Sequence, residues 1–188
     1  MQSGKLKLVS FCSTLVFLLA SPAYSQLNSS TASVTLTATL GETLTVAATP
    51  NAVNFALVAG GVATANAPVA ITTSWVLSAG RANVELDAYF SSATAALAFA
   101  GPPVSDIPTS AVLGQVTTGT PTTYTAFTQS AALGPAGAGL TLFTQALTSS
   151  NRTSSRVDNL NLEINLSSLP QLPAATYTGT LTLQAQAL

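Results

Sequence analysis

Apolar and hydroxylated residues alternate along most of this chain with a period of two. Over residues 32–40 the apolar positions are Ala32, Val34, Leu36, Ala38 and Leu40, and Ser33, Thr35, Thr37 and Thr39 fall between them. A period of two sends successive side chains to opposite faces of a strand, so one face is apolar and the other carries hydroxyls. The same reading predicts strands over 43–48, 52–58, 67–77, 83–90, 111–116, 122–128, 140–147, 160–166 and 176–187. Turn chemistry separates them: Thr49-Pro50-Asn51, Ser78-Ala79-Gly80, Gly101-Pro102-Pro103, Gly119-Thr120-Pro121, and the stretches 134–139, 149–155 and 169–173. Residues 91–100 are Ala-rich, and the pattern leaves them open between a loop and a helical turn.

Composition reinforces the strand reading. Thr occurs 27 times after position 25, Glu is scarce there and Lys is absent; β-branched Thr suits a pleated surface and loses rotamer freedom in a helix. Short, unevenly spaced strands with Pro- and Gly-rich connections predict an all-β fold, an immunoglobulin-like Greek-key β-sandwich, in preference to an eight-stranded barrel. Ahead of it, Lys5 and Lys7 precede a charge-free run over 8–20, Ser21-Pro22 breaks the run, and Ala23 and Ser25 place small residues where a signal peptidase reads them. Residues 1–25 are therefore expected to be a secretory signal peptide, removed before Gln26. As a helix that run would reach only about 20 Å, against about 30 Å of bilayer hydrocarbon, so no membrane span is expected after cleavage. The lone Cys12 lies inside this segment behind Phe11, which does not suit a lipid-anchored cysteine. Residues 26–40 then form an N-terminal extension or a first strand, and residues 41–188 the β-sandwich domain, without a disulfide.

Few residues can carry chemistry. The chain has no histidine, which removes the usual general base and the commonest transition-metal ligand. Beyond the signal segment only Arg81, Arg152 and Arg156 are cationic, too few to meet a nucleic-acid backbone, and each reads as a surface charge. Glu85 and Asp87 share one strand face, which reads as a polar exterior with Val84, Leu86 and Ala88 turned inward, rather than as the opposed carboxylates of a glycosidase. Asp158-Asn159 is a thin seed for calcium, and the glycines at 134–139 lack the lysine and the helix of a phosphate loop. No catalytic residue, metal or cofactor is expected. Trp75 reads as core, with a sugar-stacking platform as its alternative.

Two stretches resemble a known family. Residues 34–55, from Val34 through Leu40-Gly41-Glu42 to Asn54-Phe55, resemble the opening of the spore-coat-U-like pilins, subunits of archaic chaperone–usher pili. Residues 172–188, with Pro173-Ala174-Ala175-Thr176-Tyr177, resemble the family's closing strand, whose motif falls on Tyr177, Gly179, Leu181 and Leu183, and residues 68–87 are similar to its middle pair of strands. Ala175 stands where the family commonly has Gly, and Gly179 where Asp is frequent. The family's disulfide would place cysteines near Thr43 or Leu44 and near Val76, and this chain has neither.

The resemblance implies a sandwich that lacks one strand and is completed by the N-terminal segment of the next subunit. Such a donor must be extended, uncharged and apolar at every second position. Residues 31–40 meet those demands, with Val34, Leu36, Ala38 and Leu40 as anchors; the same pattern would serve a first strand in the chain's own sheet. The implied partners are copies of the chain or related subunits, with a periplasmic chaperone and an outer-membrane usher during export. The implied location is the periplasm in transit, then the cell surface. The alternative is a monomeric extracellular carbohydrate-binding or adhesin module, with Trp75, Tyr89, Tyr124 or Tyr177 as its platform.

Overall fold

A computed structural model describes residues 27–188 apart from Pro170. The expected signal peptide lies outside the described residues. The chain divides into two units, residues up to 38 and residues 39–188. In the first, residues 27–38 form no strand and every side chain is exposed. Val34 and Leu36 are 83% and 90% accessible, and in the second unit Leu40 is 83% accessible. The alternative of 32–40 as a strand of the chain's own sheet is therefore corrected: the alternation is present, but no neighbouring strand pairs with it.

Residues 39–188 are all-β. The strands are β1 (Thr43–Thr49), β2 (Val62–Thr64), β3 (Val69–Val76), β4 (Asn83–Tyr89), β5 (Leu97–Phe99), β6 (Ser105–Ile107), β7 (Val112–Val116), β8 (Thr125–Ala126), β9 (Gly139–Ala146), β10 (Thr153–Asn165) and β11 (Thr182–Ala187). One 3-10 turn, Thr109–Ala111, precedes β7, and no α-helix occurs among the described residues. Pairing is antiparallel throughout. One sheet runs β1-β3-β10-β7-β8, with β2 also on β10; a second runs β11-β4-β9; β5 and β6 form a separate hairpin. Inward side chains of both larger sheets share one core, to which Ile71, Val116, Leu160 and Ile164 come from the first and Val84, Leu86, Leu140, Leu142 and Phe143 from the second. The arrangement is β-sandwich-like.

Several strands differ from the pattern-based expectation. β10 begins at Thr153 rather than Leu160, because the polar residues Ser155 and Arg156 pair with Ser74 and Thr73 of β3 despite breaking the apolar alternation. The expected strand over 52–58 reduces to a bridge between Phe55 and Ala65, and 122–128 to the two residues of β8. Of 176–187, only Thr182–Ala187 is strand, with a bridge from Thr178 to Ala98 upstream. Residues 91–100, left open by the pattern, contribute β5.

Candidate functional site

β1 and β11 each lie at the edge of their sheet, in contact across the sandwich. Register fixes which backbone groups they leave free. Leu188 and Asn83 exchange both backbone hydrogen bonds, at 2.9 and 3.2 Å, and Thr178 and Ala98 do the same at 3.0 and 2.8 Å. In an antiparallel ladder alternate residues bond alternate sides. The even-numbered residues from 178 to 188 therefore face inward to their sheet neighbours. Gly179, Leu181, Leu183, Ala185 and Ala187 turn their N–H and C=O groups to the open edge.

β1 shows the same alternation. Leu77 N–H donates to Arg152 C=O at 2.8 Å, so the odd residues of β3 bond β10 and the even ones bond β1. Leu44, Val46 and Ala48 then face the open edge. Apart from the exposed Gly179, these are on both strands the residues whose side chains turn toward the core, and they are only half-buried there. Where these edges part, at the Ala48 and Leu183 ends, lies a groove of about 650 Å³ floored by Val69, Phe90, Val112, Leu162 and Ile164, and walled by Ala48, residues 50–55, residues 175–181 and Leu183. An apolar floor beneath two free ladder edges is what a missing strand leaves behind.

The residues quoted for the C-terminal motif build one wall. Tyr177 donates its hydroxyl to Pro173 C=O at 2.9 Å and meets Phe99 edge-on, at 6.1 Å between centroids. A Cβ on Gly179 would run into the Ala96 carbonyl oxygen, so only glycine lets this wall lie so close to the hairpin of β5 and β6. Leu181 and Leu183 line the groove.

The slot closes at one end. Glu42, just before β1, accepts from the Ser78 amide at 2.7 Å and from Arg81 at 3.4 Å (Nε) and 3.1 Å (Nη2), while Arg81 Nη1 donates to Ala187 C=O at 3.2 Å. Arg152 in turn holds the carbonyls of Ser78 and Arg81. Arg81, joined by the Ser78 amide, holds the Glu42 carboxyl down to about 2. Sequence reading missed this clasp because Glu42 and Arg81 are 39 positions apart; only the β1–β3 register brings them together.

Two other expected surface features turn inward. Arg156 points between the sheets, bonds the fully buried Asp158 through Nε at 2.7 Å and Nη2 at 2.6 Å, and lies 4.1 Å from the Phe143 ring centre. Thr118 completes the pair by donating to Asp158 at 2.8 Å. The surface-charge reading of Arg156 is thus corrected, since β10 reaches far enough upstream to turn it toward the core, half-buried at the rim. Asp87 is likewise not exterior. A bulge after Leu86 and the loop around Leu133 enclose it, and its carboxylate accepts from Thr141 Oγ1 at 2.7 Å and from the Leu133 amide at 3.3 Å. Burial pushes its carboxyl above the usual range, against the lowering effect of the Thr141 hydrogen bond.

The ligand-platform alternative for Trp75 is also corrected. Its ring is buried in the core, and Nε1 donates to Asn151 C=O at 2.8 Å. Tyr89 bonds Gln184 at 2.7 Å, Tyr177 is built into the wall, and Tyr124 alone is exposed. No group of three or more metal-ligating side chains occurs among the described residues, and no helix there is long and apolar enough to cross a membrane. Comparison of the chain with family models, with curated proteins and with solved structures returns no match.

Proposed function

We propose that this chain is a secreted structural subunit of a surface filament, pilin-like in the manner of the spore-coat-U-like pilins. Residues 31–40 of one copy fill the groove between β1 and β11 of the next. The supporting observation is the groove itself: an apolar floor bounded by the Ala48 end of β1 and the 175–183 stretch that leads into β11, on two edge strands whose core-facing residues stay half-buried. The dimensions suit the donor. Val34, Leu36, Ala38 and Leu40 span six residue steps, as do Gly179, Leu181, Leu183 and Ala185 along the free edge, and each span covers about 20 Å. Val34, Leu36 and Leu40 stand almost fully exposed, the state expected of a donor without an acceptor.

Polarity favours a filament over a closed dimer. β1 and β11 both run from the Glu42–Ala187 pole or toward it, so the ribbon leaves the sandwich at that pole while the groove opens at the other, beside residues 50–55 and 175–179. A donor joined to the sandwich through Glu42 at one pole, and a groove that opens at the other, give a head-to-tail contact that does not close on itself. The family resemblance gains a further support. The positions implied for its disulfide, Thr43 and Val76, are directly paired in the register of β1 and β3, as are Leu44 and Trp75. On this reading the sandwich is immunoglobulin-like with one strand missing. A periplasmic chaperone and an outer-membrane usher handle the unfilled slot, and the assembled product stands on the cell surface.

The test is assembly of the full chain. Donor-filled subunits run as an SDS-resistant ladder that collapses on boiling, and the ladder is lost in Leu36→Asp, which places a charge on a central anchor. A chain that stays monomeric with its N-terminus intact, or a ladder indifferent to Leu36→Asp, overturns the proposal.

A further inference from the structure

The clasp at the closed end of the slot has a consequence for which copy supplies the donor. The ribbon ends at Leu40-Gly41, and Gly41 has nothing within 4 Å of where a Cβ would stand, so the chain has both the room and the backbone freedom to turn back there. Turning back would lay residues 31–40 against the free edge of β1, into the chain's own slot. The first rung such a hairpin would use is the end beside Ala187, and Arg81 already occupies that carbonyl at 3.2 Å. Glu42, the residue that would enter the turn, is held away from it by the Ser78 amide and the two Arg81 nitrogens. Arg152 fixes the turn that presents Arg81 by bonding its carbonyl at 3.0 Å.

We infer that the Glu42–Arg81–Ala187 clasp keeps each subunit from filling its own slot, and so directs the ribbon to a second copy of the chain. This rests on the donor reading above and adds what decides between self-filling and assembly. The clasp is exposed, so it biases the partition rather than forbidding one branch. Arg81 is on this account a positioning residue: it touches the receiving strand's carbonyl and the base of the donor, and contributes nothing to the grip of the slot on the four anchors.

Cysteine trapping in the full chain, with Cys12 replaced by Ser, tests it, because residues 27–188 contain no cysteine of their own. Ala185→Cys is combined in turn with Val34→Cys, Leu36→Cys, Ala38→Cys or Leu40→Cys, and the oxidised products are separated after boiling, with the cross-linked peptides identified by mass spectrometry. In the otherwise native chain the disulfide joins different copies and survives as a boiled ladder. Adding Arg81→Ala shifts cross-linked material severalfold from the ladder to a compact monomer carrying the same disulfide internally. Arg81→Gln, which keeps a donor but loses the ion pair, gives an intermediate shift and serves if Arg81→Ala does not fold. Disulfides that stay between copies in both variants overturn the clasp while leaving the donor reading intact. If none of the four pairings forms a disulfide with or without the clasp, the donor reading itself fails.

Discussion

The two edges of the three-stranded sheet end differently. Along β9 the first part of the free edge is covered: Thr120 N–H donates to Leu142 C=O at 2.8 Å, Gln129 and Gly139 exchange bonds at 2.9 and 3.1 Å, and the Gln129 side chain accepts from the Thr141 amide at 3.2 Å. The Arg156–Asp158 pair and the fully buried Phe127 plug the space behind that rim. Along β11, by contrast, only Ala187 C=O has a side-chain partner among the described residues, and the inward side chains on both flanks remain half-buried. The chain thus has the means to seal an edge, with folded-over loops and a buried ion pair, and applies them to one side only. An open edge on a domain with so few charges, and no lysine beyond position 7 to discourage strand addition, is an invitation to a further strand.

The contrast can be broken from either side. The largest effect is expected at the sealed rim. Asp158→Ala leaves Arg156 without its partner between the sheets and should cost about 3–5 kcal/mol, read as a fall in Tm of roughly 6–20 °C for a domain of this size, in ladder-forming and ladder-free chains alike. Leu183→Ala, in the wall of the open slot, should behave otherwise. Its side chain is only half-buried in the isolated subunit, so the subunit loses about 1 kcal/mol, while the assembled ladder dissociates at a distinctly lower temperature. Equal effects in subunit and ladder would mean that nothing seats on Leu183.

Tyr177→Phe removes the hydroxyl bond to Pro173 and should cost about 1 kcal/mol, with the ladder retained. Loss of the ladder would make the wall's exact shape decisive. The smallest effect concerns pH. Asp87 has its carboxyl raised by burial, so the folded state holds its proton more tightly than the unfolded chain, and stability rises as pH falls from neutral through the folded pKa. Glu42, held down to about 2, acts in the opposite sense, contributing above its unfolded value of 4.5 and losing that contribution below it. Thermal scans should therefore show Tm rising from pH 7 toward mild acid, with the rise removed in Asp87→Asn. A Tm that falls steadily over that range would contradict the burial of Asp87.

Much of this was legible in the pattern of residues. The alternation at 32–40 marked a ribbon apolar on one face, and Thr-rich alternation located most strands. The groove was not legible, because an edge strand that waits for a partner and a strand already paired carry the same period-two signal. The sealed rim was hidden for a related reason. Asp158 and Arg156 break the apolar alternation and so read as loop, whereas their mutual bonds make them an acceptable inward pair on β10. Asp87 escaped because a bulge after Leu86 and a loop some 46 residues away bury it, neither of which a local pattern encodes.

The central claim is that a strand from another copy completes the edge of β11. Amide hydrogen exchange at Gly179, Leu181, Leu183 and Ala185 reads this directly, in assembled protein and in the full-length Leu36→Asp chain. The account predicts slow exchange at all four in the assembled protein and fast exchange in the variant, with the amides along the β9 edge unchanged between them. Fast exchange at these four amides in both samples would mean that the slot stays empty and that assembly, if it occurs, uses another surface.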